Sequence, residues 1–182
     1  MSRPPRARES VLDAFEAILI EEGERAATLE ATARTAGVSK GGLLYHFESK
    51  DALEVGLLDR LTQLVDEDVD AITQDARGAV DYFLRSSVMT DSPLDRAIIA
   101  VSRLAQGGSA AAGDAIRDMR ERWTAALRPH TRDQASLDLI LLVSEGLYYT
   151  NALQAGALVG RTVQGSELDA LITLVQRAVQ PA

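Results

Sequence analysis

The chain has 182 residues, 46% of them hydrophobic, enough to bury the core of one or two small domains. It contains no cysteine, which excludes disulfides, a thiolate nucleophile and a cysteine zinc site. Its net charge of −8 suits a nucleic-acid partner only if the cations are gathered on one face.

Val11, Leu12, Phe15, Ile18 and Leu19 repeat at helical spacing and predict a first amphipathic helix. Residues 28–50, TLEATARTAGVSKGGLLYHFESK, then read as two short helices joined by a tight turn. Thr28 is placed to cap the first of these, and Leu29, Ala33 and Ala36 give it a narrow apolar face. Gly37 ends it where a positive φ costs least. Val38 plugs the gap, Ser39 caps the second helix, and Leu43 and Phe47 point back into the core. Lys40, Gly41, Gly42, Leu44, Tyr45 and His46 are left facing outward, while Ser49 caps a third helix with Lys50 in its first turn. Lys40 and Lys50 are the only lysines in the chain, against 17 arginines. A compact helical pair flanked by cations is how a protein presents side chains to the DNA major groove. The plainer reading makes both lysines ordinary surface charges.

Leu53, Leu57, Leu61, Leu64, Val65, Val69 and Ile72 predict a long helix running on from this head. Further helices are expected near 76–87, 93–106 and 110–128. Ser92-Pro93 with Asp95 is a start signal, and Gly107-Gly108 and Pro129 are breaks. Residues 134–156 are apolar nearly all round (Leu137, Leu139, Ile140, Leu141, Leu142, Val143, Leu147, Tyr148), so that helix needs cover on both sides. The last helix opens with a capping-box-like Ser166-x-x-Asp169 and carries Leu168, Leu171, Ile172, Val175 and Val179 on one stripe. These two helices are the expected dimer interface; a monomer core is the alternative. No strand alternation appears, so the fold class is all-α: a three-helix helix-turn-helix head over 1–50 and a larger helical body over 51–182.

Charge is unevenly spread. Residues 34–50 hold three cations and one acid, whereas Glu21, Glu22, Glu24 and the run Asp66, Glu67, Asp68, Asp70 carry acidity away from the motif. The N-terminal stretch MSRPPRARES adds three arginines and has no apolar signal-like segment. It is expected to be disordered on its own and is a candidate DNA contact. With no long apolar run, a soluble cytoplasmic protein with no membrane partner is expected.

Residues 7–60 resemble the N-terminal domain of the TetR family of bacterial one-component repressors, on AGVSKGGLLYHFESKDAL (Ala36–Leu53) preceded by an amphipathic helix and a short Thr-led helix. The resemblance implies DNA contacts at Thr28, Ser39, Lys40, Gly41, Tyr45, His46 and Lys50, with Tyr45, His46 and Lys50 mainly on phosphates. Two positions depart from the pattern: Gly42 stands where members often carry Thr, Ser or Asn, and Leu44 where many carry Tyr. Base hydrogen bonding is therefore expected to be sparse, with Lys40, a Leu44 contact to thymine methyls and DNA shape supplying specificity. The resemblance also implies a homodimer on a double-stranded palindromic operator.

A small-molecule site is expected in the body. The candidates are Phe83, Met89, Arg103, Met119, Trp123, Glu145, Tyr148 and Tyr149, with Tyr82, Gln106 and Asn151 near the same levels. The segment SEGLYYTNAL (Ser144–Leu153) resembles a helix of multidrug-sensing members, where an acid and aromatics meet a cation. Glu145 with the aromatics would suit a cationic aromatic effector; the alternative is that these residues are core packing and surface.

No nucleophile–base spacing is recognisable with only His46 and His130, and no phosphate loop is present, so no catalytic residues, cofactor or metal are expected. The reading is a ligand-responsive regulator, released from DNA by a small molecule. The alternative is a small-molecule-binding helical protein without sequence-specific DNA binding.

Overall fold

The computed structural model describes residues 4–88, 91–154 and 163–180, and the side chains of 7–88, 91–150 and 163–180. Among these the chain is helical with no strand. The helices are α1 (Pro4–Glu21), α2 (Leu29–Thr35), α3 (Lys40–His46), α4 (Lys50–Gln74), α5 (Ala79–Ser86), α6 (Pro93–Gln106), α7 (Ala110–Leu127), α8 (Gln134–Gln154) and α9 (Ser166–Val179). None is long and apolar enough to cross a membrane.

Two compact units are discontinuous in sequence: Met1–Val65 with Pro93–Met119, and Asp66–Ser92 with Arg120–Ala182. The boundaries fall inside α4 and α7, so each of those helices contributes to both units.

In the first unit α1 packs on α2, α3 and α6. Val11, Leu12, Phe15, Ile18 and Leu19 of α1 are buried, as are Leu43, Phe47, Leu53, Leu57 and Leu61. Gly56 marks the tightest approach: a Cβ there would stand 2.9 Å from Phe47 Cε1 and 3.2 Å from Leu12 Cδ2. A charged seam joins three helices on the same side. Arg60 of α4 pairs with Glu9, Asp13 and Glu16 of α1, and the buried Glu16 also accepts from Arg96 Nε of α6 at 2.8 Å.

The N-terminal stretch corrects one expectation. Its composition predicts disorder on its own, yet α1 begins at Pro4 and takes in Arg6 and Arg8. Proline suits the first helical turn, whose N–H groups have no intrahelical acceptor anyway. Arg8 is further held with its guanidinium 5.0 Å from the centroid of the Phe47 ring.

In the second unit α5, α8 and α9 pack on one another around Phe83, Leu84, Leu137, Ile140, Leu147, Leu168, Ile172 and Val175. Arg85 of α5 bridges Asp81 in its own helix and Asp169 of α9, both at 2.7 Å. These two carboxylates hold the guanidinium proton more firmly than usual. The start of α9 brings a second correction. Ser166 is the first residue of α9, not its cap; Gly165, at φ 55°, holds the cap position without a side-chain bond. With the cap at Gly165, Asp169 is the fourth helical residue, one beyond the capping-box position, and its carboxylate pairs with Arg85.

Candidate nucleic-acid interface and effector residues

Three hydroxyls define the head. Thr28 Oγ1 accepts from Ala31 N at 3.1 Å, Ser39 Oγ from Gly42 N at 3.1 Å and Ser49 Oγ from Ala52 N at 3.0 Å. Each satisfies a backbone donor that the start of a helix leaves open. Between the first two helices, Gly37 turns the chain at φ 67°, a conformation that costs a side-chain-bearing residue energy. Val38 N then donates back to Ala33 O at 3.0 Å. The caps and the turn set the α2–α3 angle, and burial of Leu43 and Phe47 fixes which face of α3 looks out.

On that outer face Tyr45 is 83% exposed and meets the half-buried His46 ring edge-on, with centroids 5.1 Å apart. Leu44 is exposed, and so are Thr28, Ser39, Lys40 and Gly41; Gly42 is half-buried. The two lysines are not bare charges. Lys40 Nζ pairs with Glu30 Oε1 at 2.5 Å, and that ammonium's hydrogen bond holds the Glu30 carboxyl below its ordinary range. Lys50 Nζ donates to Glu24 Oε1 at 2.5 Å and to the Glu24 carbonyl at 3.1 Å. Neither glutamate was singled out from sequence as a lysine partner, because nothing in local spacing ties residue 24 to residue 50.

Residues 11–54 match the model for bacterial regulatory proteins of the tetR family. Over these residues the head is similar to the helix-turn-helix domain of that family. No curated protein sequence matches the chain. Solved structures similar to it include a candidate transcriptional regulator from Saccharomonospora viridis in complex with choline, at 18% identity and a TM-score of 0.69, covering 98% of this chain and 100% of that one. Salmonella enterica GusR is similar at 16% identity and a TM-score of 0.67, covering 97% of each chain. NalD, the secondary repressor of the MexAB-OprM multidrug efflux pump in Pseudomonas aeruginosa, is similar at 20% identity and a TM-score of 0.59, covering 97% and 96%. At these identities the likeness is one of fold, and it spans the body as well as the head.

The expected effector residues fall in different places. Phe83 is buried and Trp123 half-buried, and their rings meet at 5.5 Å and 67°. Tyr148 is half-buried and Tyr149 is 66% exposed. All four belong to the second unit, whereas Arg103, exposed, and Met119, buried, belong to the first. Met89 and the side chain of Asn151 lie outside the described residues.

The acid beside the tryptophan is not Glu145, which is exposed and pairs with Arg120 at 2.5 Å. It is the buried Asp68, which accepts from Trp123 Nε1 at 2.8 Å and from Tyr82 Oη at 3.0 Å. Burial, reinforced by the Asp68 charge, pushes the Tyr82 phenol up to about 12. In sequence Asp68 is one of a run of acids away from the motif, but it continues the buried α4 stripe of Leu61, Val65 and Ile72. That spacing was a signal for it. Among the described residues no group of three metal-ligating side chains converges.

Proposed function

We propose that this protein is a repressor that binds a palindromic operator as a homodimer and leaves it when a small molecule binds the body. Residues 1–50 are the DNA-contacting part of this reading and residues 51–182 the sensing and dimerising part. One observation carries it: the capped α2–α3 pair, inside the TetR-family match, turns Lys40, Leu44, Tyr45 and His46 outward from a packed core. Phosphate contacts from Tyr45, His46 and Lys50 orient the head, and the start of α3 reads the groove. Two heads related by a two-fold axis match an operator with the same symmetry.

For the effector, the reading moves from Glu145 to the cluster of Asp68, Tyr82, Phe83 and Trp123. A buried carboxylate among three aromatic rings favours a cationic aromatic ligand. The choline held by the similar Saccharomonospora viridis protein, an aliphatic quaternary ammonium, is in keeping with the cationic part of that chemistry. Ligand and DNA then compete through one reciprocal coupling energy, typically about 1–3 kcal/mol. Helix α4 starts at Lys50 and carries Asp68, so it belongs to both functions.

Selection from a randomised duplex library tests the DNA reading. Enrichment of an inverted repeat, bound in preference to scrambled duplex at physiological salt, is the expected result. Binding that never discriminates between sequences would favour the alternative, a ligand-binding helical protein without an operator. Titration of Trp123 fluorescence with a cationic dye and an anionic dye of similar size tests the effector class. Saturable quenching by the cation alone is expected, and quenching by the anion alone overturns the cationic assignment.

A further inference from the structure

Lys50 is the first residue of α4, where the partial positive charge of the helix end disfavours a cation. The structure shows what offsets this. Glu24, in the turn after α1, supplies two acceptors to the same ammonium, its carboxylate and its own carbonyl. An ammonium has three donors, and Glu24 occupies two of them.

A second contact bears on Glu24 from the other side. Gly107 follows α6, and a Cβ at that position would stand 3.0 Å from Glu24 Cγ and 3.2 Å from Glu24 Cβ. A side chain there would be a tighter contact than usual, and Glu24 would have to give by a few tenths of an ångström to admit it. Two residues on, the Ser109 hydroxyl caps α7 through Ala112 N and donates to Glu54 of α4. The Gly107–Ser109 turn thus touches one glutamate that holds Lys50 and another a single turn further along Lys50's own helix. At its other end α6 is pinned by Arg96 on the buried Glu16. All of these residues lie in the first compact unit.

We propose that Glu24 is a positioning residue that competes with DNA phosphate for Lys50, and that the α6–α7 turn sets how firmly it does so. The inference rests on the DNA-binding reading above. When Glu24 holds Lys50, the ammonium is neutralised and a phosphate approaching it meets a neighbouring carboxylate. When the turn moves, Glu24 loses its seat and Lys50 is released to the phosphate. Firm seating of the turn therefore weakens DNA binding, and a displaced turn strengthens it.

The test is fluorescence anisotropy with a labelled mixed-sequence duplex, titrated over a range of salt concentrations with the full chain. Glu24→Gln keeps the shape and removes the charge. It is expected to tighten binding about 2- to 5-fold, the scale of a partly exposed ion pair, and to steepen the salt dependence. Glu22→Gln, at an exposed acid in the same turn, controls for the general loss of negative charge. Combined with Lys50→Ala, the Glu24→Gln gain should vanish. Gly107→Ala should displace Glu24 and tighten binding with no change in net charge.

If Glu24→Gln merely matches Glu22→Gln, or its gain survives in the Lys50→Ala background, the competition does not exist. A Gly107→Ala protein that binds like the parent overturns the role of the turn. A parent protein that binds no duplex at any salt overturns the DNA-binding reading and this inference together. A parent that binds normally while Glu24→Gln changes nothing overturns the inference alone.

Discussion

Lys50 and Tyr82 show how far a single side chain's role depends on a partner distant in sequence. Sequence alone places Lys50 at a helix start that disfavours it and leaves a docked phosphate as the compensating anion. The structure supplies Glu24 first, 26 residues away. Replacing Lys50 with alanine should weaken binding to all DNA sequences about equally and lower the salt slope by about one, as removal of one phosphate contact does. Altered sequence preference in a panel of duplexes would show that Lys50 reads bases instead. Tyr82 offers a pH test. Its phenol is pushed up to about 12 from the ordinary value of 10.0, chiefly by burial and then by the Asp68 charge. The folded state therefore favours the neutral phenol. The stability this contributes is fully present below pH 10 and is lost as pH rises through about 12. Phenolate absorbance should show a late-titrating step that Tyr82→Phe removes. If the two titration curves coincide at their alkaline ends, the tyrosine is not held by Asp68.

At the scale of elements, α3 is short, seven residues, and carries two glycines directly after its first residue, Lys40, so its hold on the helical state rests on the Ser39 cap and on burial of Leu43. The two glycines differ in surroundings. A Cβ at Gly41 meets nothing within 4 Å, while one at Gly42 stands 3.3 Å from the capping Ser39 Oγ. Gly41→Ala should therefore raise stability by up to about 1 kcal/mol, and Gly42→Ala by less, because it crowds the cap. Urea midpoints of the two variants measure this; equal gains would mean that the cap is not crowded, and no gain at Gly41 would mean that propensity does not limit α3. Element ends and types were legible in the sequence wherever a local rule decides them. Thr28, Ser39 and Ser49 do cap, Gly37 does turn at positive φ, and Pro93 does open α6. Ser166 does not cap because α9 already begins at it, with Gly165 at the cap position, which takes Asp169 out of the capping-box register. Asp68 is missed for a different reason: composition makes it one of a run of acids, while its register on α4 puts it inside. The α1 start at Pro4 is not legible in an Arg- and Pro-rich composition, which suggests disorder, but follows from the tolerance of proline in a first helical turn.

For the molecule as a whole, the outer faces of the last two helices carry the remaining argument. On α8, Leu139, Leu142, Gly146 and Tyr149 recur at i, i+3, i+7 and i+10, with Leu142 67% exposed and Tyr149 66% exposed. On α9, Leu174 is 65% exposed between the small, exposed Ala170 and Ala178. The opposite stripes of both helices, Leu137, Ile140 and Leu147 on one and Leu168, Ile172 and Val175 on the other, already fill the core. Large apolar side chains left outward on two adjacent helices cost free energy in water, about 25 cal/mol for each Å² left uncovered. A second copy presenting the same surface would cover them, and two-fold pairing is the commonest way such a patch closes on itself. The protein is therefore expected to sediment as a dimer. Leu142→Asp combined with Leu174→Asp should give a folded monomer, because neither side chain supports its own core. That monomer should retain weak, salt-sensitive binding to duplex and lose its preference for the inverted repeat, since one head contacts only one half-site. Sedimentation and duplex titration on the same samples separate the two effects. A parent protein that sediments as a monomer, or a double variant that still dimerises, would remove α8 and α9 as the interface and with them the two-fold match between protein and operator.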